Sequence, residues 1–157
     1  MSNKHGVIIG VGSEKELADN VRALRGIIFD SDGVITDNRV LEGFEGVKPR
    51  WRSHYDGQGI SLLRAIGIRV CFITNEKGVD SAAIRGLVER WNKLPSTATP
   101  EKPDGWPEVD LFEGRGGKYK AESAEEWIQR NRFQWKDCAV MGDDLVDVQM
   151  MRLAVLR

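Results

Sequence analysis

Apolar residues fall along the chain in short continuous runs, separated by stretches in which they recur every three or four positions. The run Gly-Ile-Ile-Phe-Asp at 26–30 ends in an acid, the pattern of a strand buried on both faces that delivers a carboxylate at its C-terminal edge. Residues 69–74 repeat the pattern with Thr74 in place of the acid, 109–112 offer a short strand, and 138–141 form a further apolar strand followed at once by Gly142-Asp143-Asp144. Helical spacing fills the intervals. Leu17, Val21 and Leu24 predict a helix over 14–25 with one buried stripe, opened by the capping-box pair Ser13 and Glu16 and stopped by Gly26. Ile60, Leu63 and Ile66 predict a helix over 59–66, and Val79, Ala83, Leu87 and Trp91 one over 79–94. Ala124, Trp127 and Ile128 share one face of a helix from Lys120 to Asn131. Strands alternating with helices predict a three-layer α/β domain around a parallel sheet.

Two segments break the alternation. Residues 39–54, with Gly43, Gly46, Pro49 and basic positions beside Trp51, predict a projecting β-hairpin after the first strand. Residues 95–110 hold four of the five prolines and predict an irregular excursion. The chain has 157 residues, enough for one compact domain. The expected division is an N-terminal extension with a helix over 1–25 and a catalytic domain over 26–157.

Charge and cysteine content narrow the partners. Twenty-three Lys and Arg against 24 Asp and Glu leave a formal charge of −1, so no positive field gathers a phosphodiester backbone, and nucleic acid is not expected as a partner. The longest apolar stretches fall far short of the ~18 residues that span a bilayer, and the N-terminus lacks the apolar core of a signal peptide. The expectation is a soluble, cytoplasmic protein. Cys71 and Cys138 lie inside apolar runs and are expected as buried free thiols. His5 and His54 are read as solvent-facing or hairpin residues, and the widely spaced tryptophans as core or subunit contacts.

Chemistry concentrates at the strand ends, where open α/β sheets place their sites. In Asp30-Ser31-Asp32-Gly33-Val34-Ile35-Thr36-Asp37, two carboxylates two residues apart can divide the work, Asp30 attacking an electrophile and Asp32 handling the proton. A plainer reading is an acidic loop that caps a helix. Asp143 and Asp144 stand at another strand end, with Asp147 one helical turn later. Acid clusters at two ends of one sheet repel unless something positive sits between them, and oxygen-rich coordination without His or Cys suits Mg²⁺. Thr74 supplies a hydroxyl, and Lys120 or Lys118 a cation, for phosphoryl oxygens.

In this order, the acid with Asp at +2, the strand-end Thr, the Lys and Gly-Asp-Asp resemble the four motifs of the haloacid dehalogenase superfamily of phosphohydrolases. Thr36-Asp37, the hairpin, and Asp56-Gly57-Gln58-Gly59-Ile60 resemble its capless sugar-acid phosphatases, the 3-deoxy-D-manno-octulosonate 8-phosphate phosphatases and their nine-carbon relatives. The resemblance implies Asp30 as a nucleophile forming an aspartyl phosphate, and Asp32 as acid, then base. It implies Mg²⁺ on Asp30, the Asp32 backbone carbonyl and Asp143, and phosphate on Thr74, Asn75 and Lys120, with Lys118 as runner-up. Asp144 and Asp147 would support the metal ligands, and Asp56, Glu76 and Lys77 would face the substrate. Thr74-Asn75-Glu76-Lys77 differs from the Gly-Arg of octulosonate members, and Glu-Lys is more similar to the nine-carbon group. The family continues past the fourth motif with a strand and a tail reaching a neighbouring subunit, whereas this sequence stops at Arg157.

The expected enzyme is thus a Mg²⁺-dependent phosphatase of a small phosphorylated sugar acid, assembled as a homo-oligomer, a tetramer in the family. A catalytically weak structural module partnering a CMP-sugar synthetase is the alternative from another class; the retained carboxylates argue against it. A two-component receiver also uses Asp, Thr and Lys, but there the acid pair precedes them, and here Asp143 follows the Lys.

Overall fold

A computed structural model describes residues 13–39 and 49–157. Four strands form one sheet: β1 (Gly26–Phe29), β2 (Arg69–Ile73), β3 (Val109–Phe112) and β4 (Cys138–Met141). The order is β3-β2-β1-β4 and every pairing is parallel, with Ile28 opposite both Cys71 and Val140. Among the described residues five α-helices accompany them: α1 (Glu14–Ala23), α2 (His54–Ala65), α3 (Ala82–Asn92), α4 (Lys118–Arg130) and α5 (Val148–Leu153).

The continuous apolar runs are explained by burial on both sheet faces. On one face Ile28, Cys71, Ile73, Cys138 and Val140 meet Ala121, Ala124, Trp127 and Ile128 of α4 and Met150 of α5. On the other, Val70, Phe72 and Val109 meet Ile60 of α2 and Ile84, Leu87, Val88 and Trp91 of α3, with Phe72 stacked on Trp91 at 5.8 Å between ring centres. Neighbouring residues of one strand thus enter opposite cores, the geometry a parallel sheet between two helical layers requires. Among the described residues no second domain stands over the sheet edge, and no helix is long and apolar enough to cross a membrane.

Several elements differ from their sequence patterns. The second helix begins at His54, five residues before the predicted start, because Ser53 caps it by accepting a hydrogen bond from the Tyr55 N–H at 3.1 Å. The stripe of α1 is not buried: Val21 is 52% exposed, and no residue of the helix is buried among the described residues. The predicted hairpin falls largely on residues 40–48, outside the described residues; on its two sides the Asp37 N–H donates to the Trp51 carbonyl at 2.8 Å. The short helix α5 follows Asp147 directly. On the outer edge of β4, Leu156 forms a parallel bridge with Ala139, its carbonyl accepting from the Val140 N–H at 3.0 Å.

The proline-rich excursion is irregular, as expected, but it is firmly tethered. Arg64 of α2 is fully buried and joins it to α3: Nε donates to the Pro107 carbonyl (2.7 Å), Nη2 to Thr97 Oγ1 (2.9 Å) and Nη1 to the Trp91 carbonyl of α3 (3.0 Å). Burial pushes its pKa down from the usual guanidinium value, and the Glu108 charge opposes that fall.

Candidate active site

All four motifs meet at the C-terminal edge of the sheet. Asp30 follows β1 directly, its N–H donating to the Met141 carbonyl (2.9 Å), so the carboxylate emerges beside the end of β4. The loop then turns on itself: the Ser31 carbonyl accepts from the Ile35 and Thr36 N–H groups, and the Gly33 N–H returns to the Thr36 carbonyl at 2.9 Å. Gly33 has φ +84°, and a Cβ there would lie 1.8 Å from Asp143 Oδ2, so only glycine lets the two acid loops approach.

Lys120 decides the electrostatics. It sits in the first turn of α4, 1% exposed, with Nζ 2.9 Å from Asp30 Oδ1 and 2.7 Å from Asp147 Oδ1. Lys118 is exposed, its Nζ 5.2 Å from the Tyr119 ring centre, and it does not line the acidic cavity. Asp30 Oδ1 also accepts from the Ser31 N–H at 2.7 Å. Burial raises the Asp30 pKa above the ordinary carboxylate value; Lys120 and the Ser31 N–H oppose that rise, and the Asp147 charge adds to it.

A cavity of about 180 Å³ opens here, lined by Asp30, Asp32, Asn38, Thr74, Asn75, Glu76, Lys120, Asp143, Asp144 and Val146. Thr74 stands just past β2, buried, its N–H donating to the Phe112 carbonyl and its Oγ1 accepting from the Glu76 N–H at 3.1 Å. Asn75 packs so closely on Gly116 that a Cβ there would lie 1.8 Å from its Oδ1. Asp144 caps the turn before α5, taking the Leu145 N–H at 2.5 Å.

Carboxylate oxygens of Asp30, Asp143 and Asp147 all lie within 4.8 Å of one another. Asp147 therefore belongs to the acidic group itself and not only to its support: it is fully buried and reaches inward because its Oδ2 also holds the Asp144 N–H at 3.2 Å. The Asp32 carboxylate stands outside this trio, its Oδ1 taken by Thr36 Oγ1 (3.0 Å) and Arg50 Nε (2.8 Å). A cluster of hard oxygen donors fits Mg²⁺.

Two of the substrate-side candidates lie away from the acidic cavity. Asp56 lies on α2 and lines a separate apolar groove with Val34, Ile60 and Leu63. Lys77 is exposed beside Gly114 and does not line the acidic cavity. The patterns also passed over Arg50 and Asn38, whose Nδ2 donates to Asp143 Oδ2 at 3.1 Å. Basic residues beside Trp51 were the available signal for Arg50; nothing marked Asn38.

No family model matches the chain. It is 27% identical over 137 residues to the 3-deoxy-D-manno-octulosonate 8-phosphate phosphatase KdsC of Salmonella typhi, an alignment covering 85% of this chain and 59% of that protein. The chain thus spans about three-fifths of the length of the curated relatives it matches. Among solved structures it resembles the 3-deoxy-D-manno-octulosonate 8-phosphate phosphatase of Moraxella catarrhalis, determined with magnesium, phosphate and KDO, at TM-score 0.72 and 19% identity over 90% of this chain and 70% of that one. It also resembles a Legionella pneumophila protein described as a subfamily III A hydrolase of the haloacid dehalogenase superfamily, at TM-score 0.71 and 21% identity over 89% and 66%. The fold is that of the haloacid dehalogenase superfamily. Within it, sequence and structure both resemble the octulosonate phosphatases.

Proposed function

We propose that the chain is a Mg²⁺-dependent phosphomonoesterase acting on a small phosphorylated sugar acid of the 3-deoxy-D-manno-octulosonate 8-phosphate type. One observation carries the reading: a buried lysine bridges the strand-end Asp30 and Asp147 at the floor of a polar cavity that also presents Asp32 and Thr74. That arrangement offers a nucleophile, a proton carrier and donors for phosphoryl oxygens within one concave site.

Asp30 is the nucleophile. Its Oδ1 is held by Lys120 and the Ser31 N–H, so Oδ2 is the oxygen left to attack phosphorus. As the Asp30 Oδ2–phosphorus bond forms and the ester P–O bond breaks, Asp32 gives its proton to the departing alkoxide. It then takes a proton from the water that attacks the aspartyl phosphate, releasing inorganic phosphate and restoring Asp30. Lys120, the Thr74 hydroxyl and Asn75 face the phosphoryl oxygens. Asp30, Asp143 and the Asp32 backbone carbonyl would hold Mg²⁺, with Asp147 committed to Lys120; the ion supplies positive charge opposite the phosphoryl oxygens and offsets carboxylate repulsion.

The nine-carbon keto-sugar acids are the second reading of the same site, favoured by Glu76, which lines the cavity where octulosonate members carry Gly-Arg. A homotetramer in which neighbours shield the open cavity, and the division at residues 25 and 26, belong to the same proposal. Phosphate release measured from eight- and nine-carbon keto-sugar-acid 1°-phosphates, with Mg²⁺ and with excess EDTA, tests it. Metal-dependent release from the eight-carbon substrate is expected; release from neither would overturn the reading, and preference for the nine-carbon ester would replace the substrate. Sedimentation showing only monomer would remove the tetramer.

A further inference from the structure

We propose that Arg50 is a positioning residue that, with Thr36, makes the two oxygens of Asp32 unequal and leaves Oδ2 as the one that exchanges the proton; this rests on the acid–base role proposed above. Arg50 lies outside the four motifs, 18 residues beyond Asp32 in the sequence. Its side chain is 7% exposed, and its Nε donates to Asp32 Oδ1 at 2.8 Å, while Thr36 Oγ1 donates to the same oxygen at 3.0 Å.

A carboxylate on an unrestrained side chain presents either oxygen by rotation about its last bond. Two donors on Oδ1 remove that freedom. No donor among the described residues bonds Oδ2, and Asp32 lines the acidic cavity while Arg50 and Thr36 do not, so the clamp sits behind the carboxylate and the free oxygen is left to the reacting group.

A second observation separates this contact from ordinary stabilisation. Among the described residues Arg50 Nη1 is buried and has no hydrogen-bond partner. A guanidinium selected for stability alone would satisfy its buried donors, as Arg64 does with Pro107, Trp91 and Thr97. Arg50 gives up one donor to keep Nε on Asp32. It also joins Asp32 to the far side of the undescribed segment, where the Asp37 N–H meets the Trp51 carbonyl.

The test compares leaving groups in Arg50→Met and Arg50→Lys. A sugar alkoxide needs a proton as it departs, whereas p-nitrophenolate does not. In Arg50→Met, kcat on the sugar-acid phosphate should fall on the order of 10²-fold with KM changed less than about threefold, the scale of a displaced general acid. Single-turnover release of p-nitrophenolate from p-nitrophenyl phosphate should fall less than about threefold. Arg50→Lys should recover roughly tenfold of the loss, since it restores one donor without the fork, and it serves as the folded variant if the Met version is unstable. Equal falls with both leaving groups, or a change confined to KM, would overturn the proposal. An NMR readout stands apart from activity: the Arg50 Nε–H of the wild-type protein should be protected from solvent exchange and lose that protection in Asp32→Ala. A wild type inactive on both esters would defeat the phosphatase reading, whereas an unprotected Nε–H would defeat the Arg50 clamp alone.

Discussion

Two buried cations divide this molecule into a part that is closed and a part that is open. Arg64 is fully buried and surrounded by neutral oxygens from Pro107, Trp91 and Thr97; every arm is used, and the result is a tethered excursion. Lys120 is equally buried but faces two carboxylates, at 2.9 and 2.7 Å, beside a cavity lined by further acids. Neutral acceptors placed around one cation close a structure. Acids in excess of the cation leave oxygens and charge unspent, and that surplus is what a metal ion and a phosphoryl group would use.

The sharpest break in the comparison is Asp30→Asn. It removes the attacking oxygen, and phosphate release should fall by at least about 10³-fold, the scale on which lost nucleophiles are felt. Stability should hold or rise, because burial already raises the Asp30 pKa and so makes its ionised form costly. The sign is consistent: a carboxylate whose folded pKa is raised contributes stability at low pH and loses it as pH climbs through that value, so the melting-temperature gain of the variant should grow from pH 4 to pH 7. An Asn variant that kept turnover, or melted far lower, would sink this assignment.

Lys120→Met attacks the same region from the other side. It strips the counter-charge from Asp30 and from the fully buried Asp147, so both activity and stability should suffer: about 10²-fold in kcat/KM, and roughly 3 kcal/mol by denaturant unfolding. Adding Asp147→Asn should return most of the stability and none of the activity. If the double variant stayed as unstable as the single one, the ion pair would not be the cause.

Arg64→Met is the control from the closed region. It leaves the Pro107 carbonyl without its donor, while the Trp91 carbonyl keeps a bond from Thr97 Oγ1 at 2.9 Å, so a loss of about 2–3 kcal/mol is expected. Activity below the melting transition should be unchanged, because none of the residues it binds lines the acidic cavity. A fall in kcat at constant folded fraction would erase the distinction between the two cations.

That control also shows where sequence reasoning reaches its limit. The strand at 138–141 was legible to the residue, since a continuous apolar run leaves a short parallel strand little freedom of register, and the one at 109–112 was legible although Asp110 interrupts its run. Asp30, Asp32, Thr74, Asn75 and Asp143 were expected together at one edge because they follow strand ends, and all five line the cavity; Lys120, which lines it too, is on a helix and was singled out by resemblance, with Lys118 as the alternative. Arg64 and Arg50 were not. Their partners lie 43 and 18 residues away in the chain, through contacts that no local period encodes. Asp147 was visible as a support for the metal ligands or as a helix-start acid; its contact with Lys120 depends on how α4 and α5 pack. The stripe of α1 failed for the opposite reason, since the period was present and nothing among the described residues covers it.

The smallest effect belongs to a cluster that lies between these extremes. Arg85 reaches Glu113 through Nη2 at 2.5 Å, and Ser81 Oγ bonds the same carboxylate, tying the start of α3 to the end of β3. Arg85 holds the Glu113 pKa below the ordinary glutamate value, partial burial opposes the shift, and Ser81 assists it. A depressed carboxylate pKa contributes stability above its unfolded value and loses it as pH falls through the folded one, so the contribution should be present at pH 7 and lost in acid. Both side chains are partly exposed, 39% for Arg85 and 29% for Glu113, and water screens the pair. Glu113→Gln should therefore lower the melting temperature at pH 7 by no more than about 2 °C, with the two proteins converging in acid. A large drop that persisted at pH 3 would show that the carboxylate shapes the loop from Thr74 to Ser81 by packing and hydrogen bonding, and not by its charge.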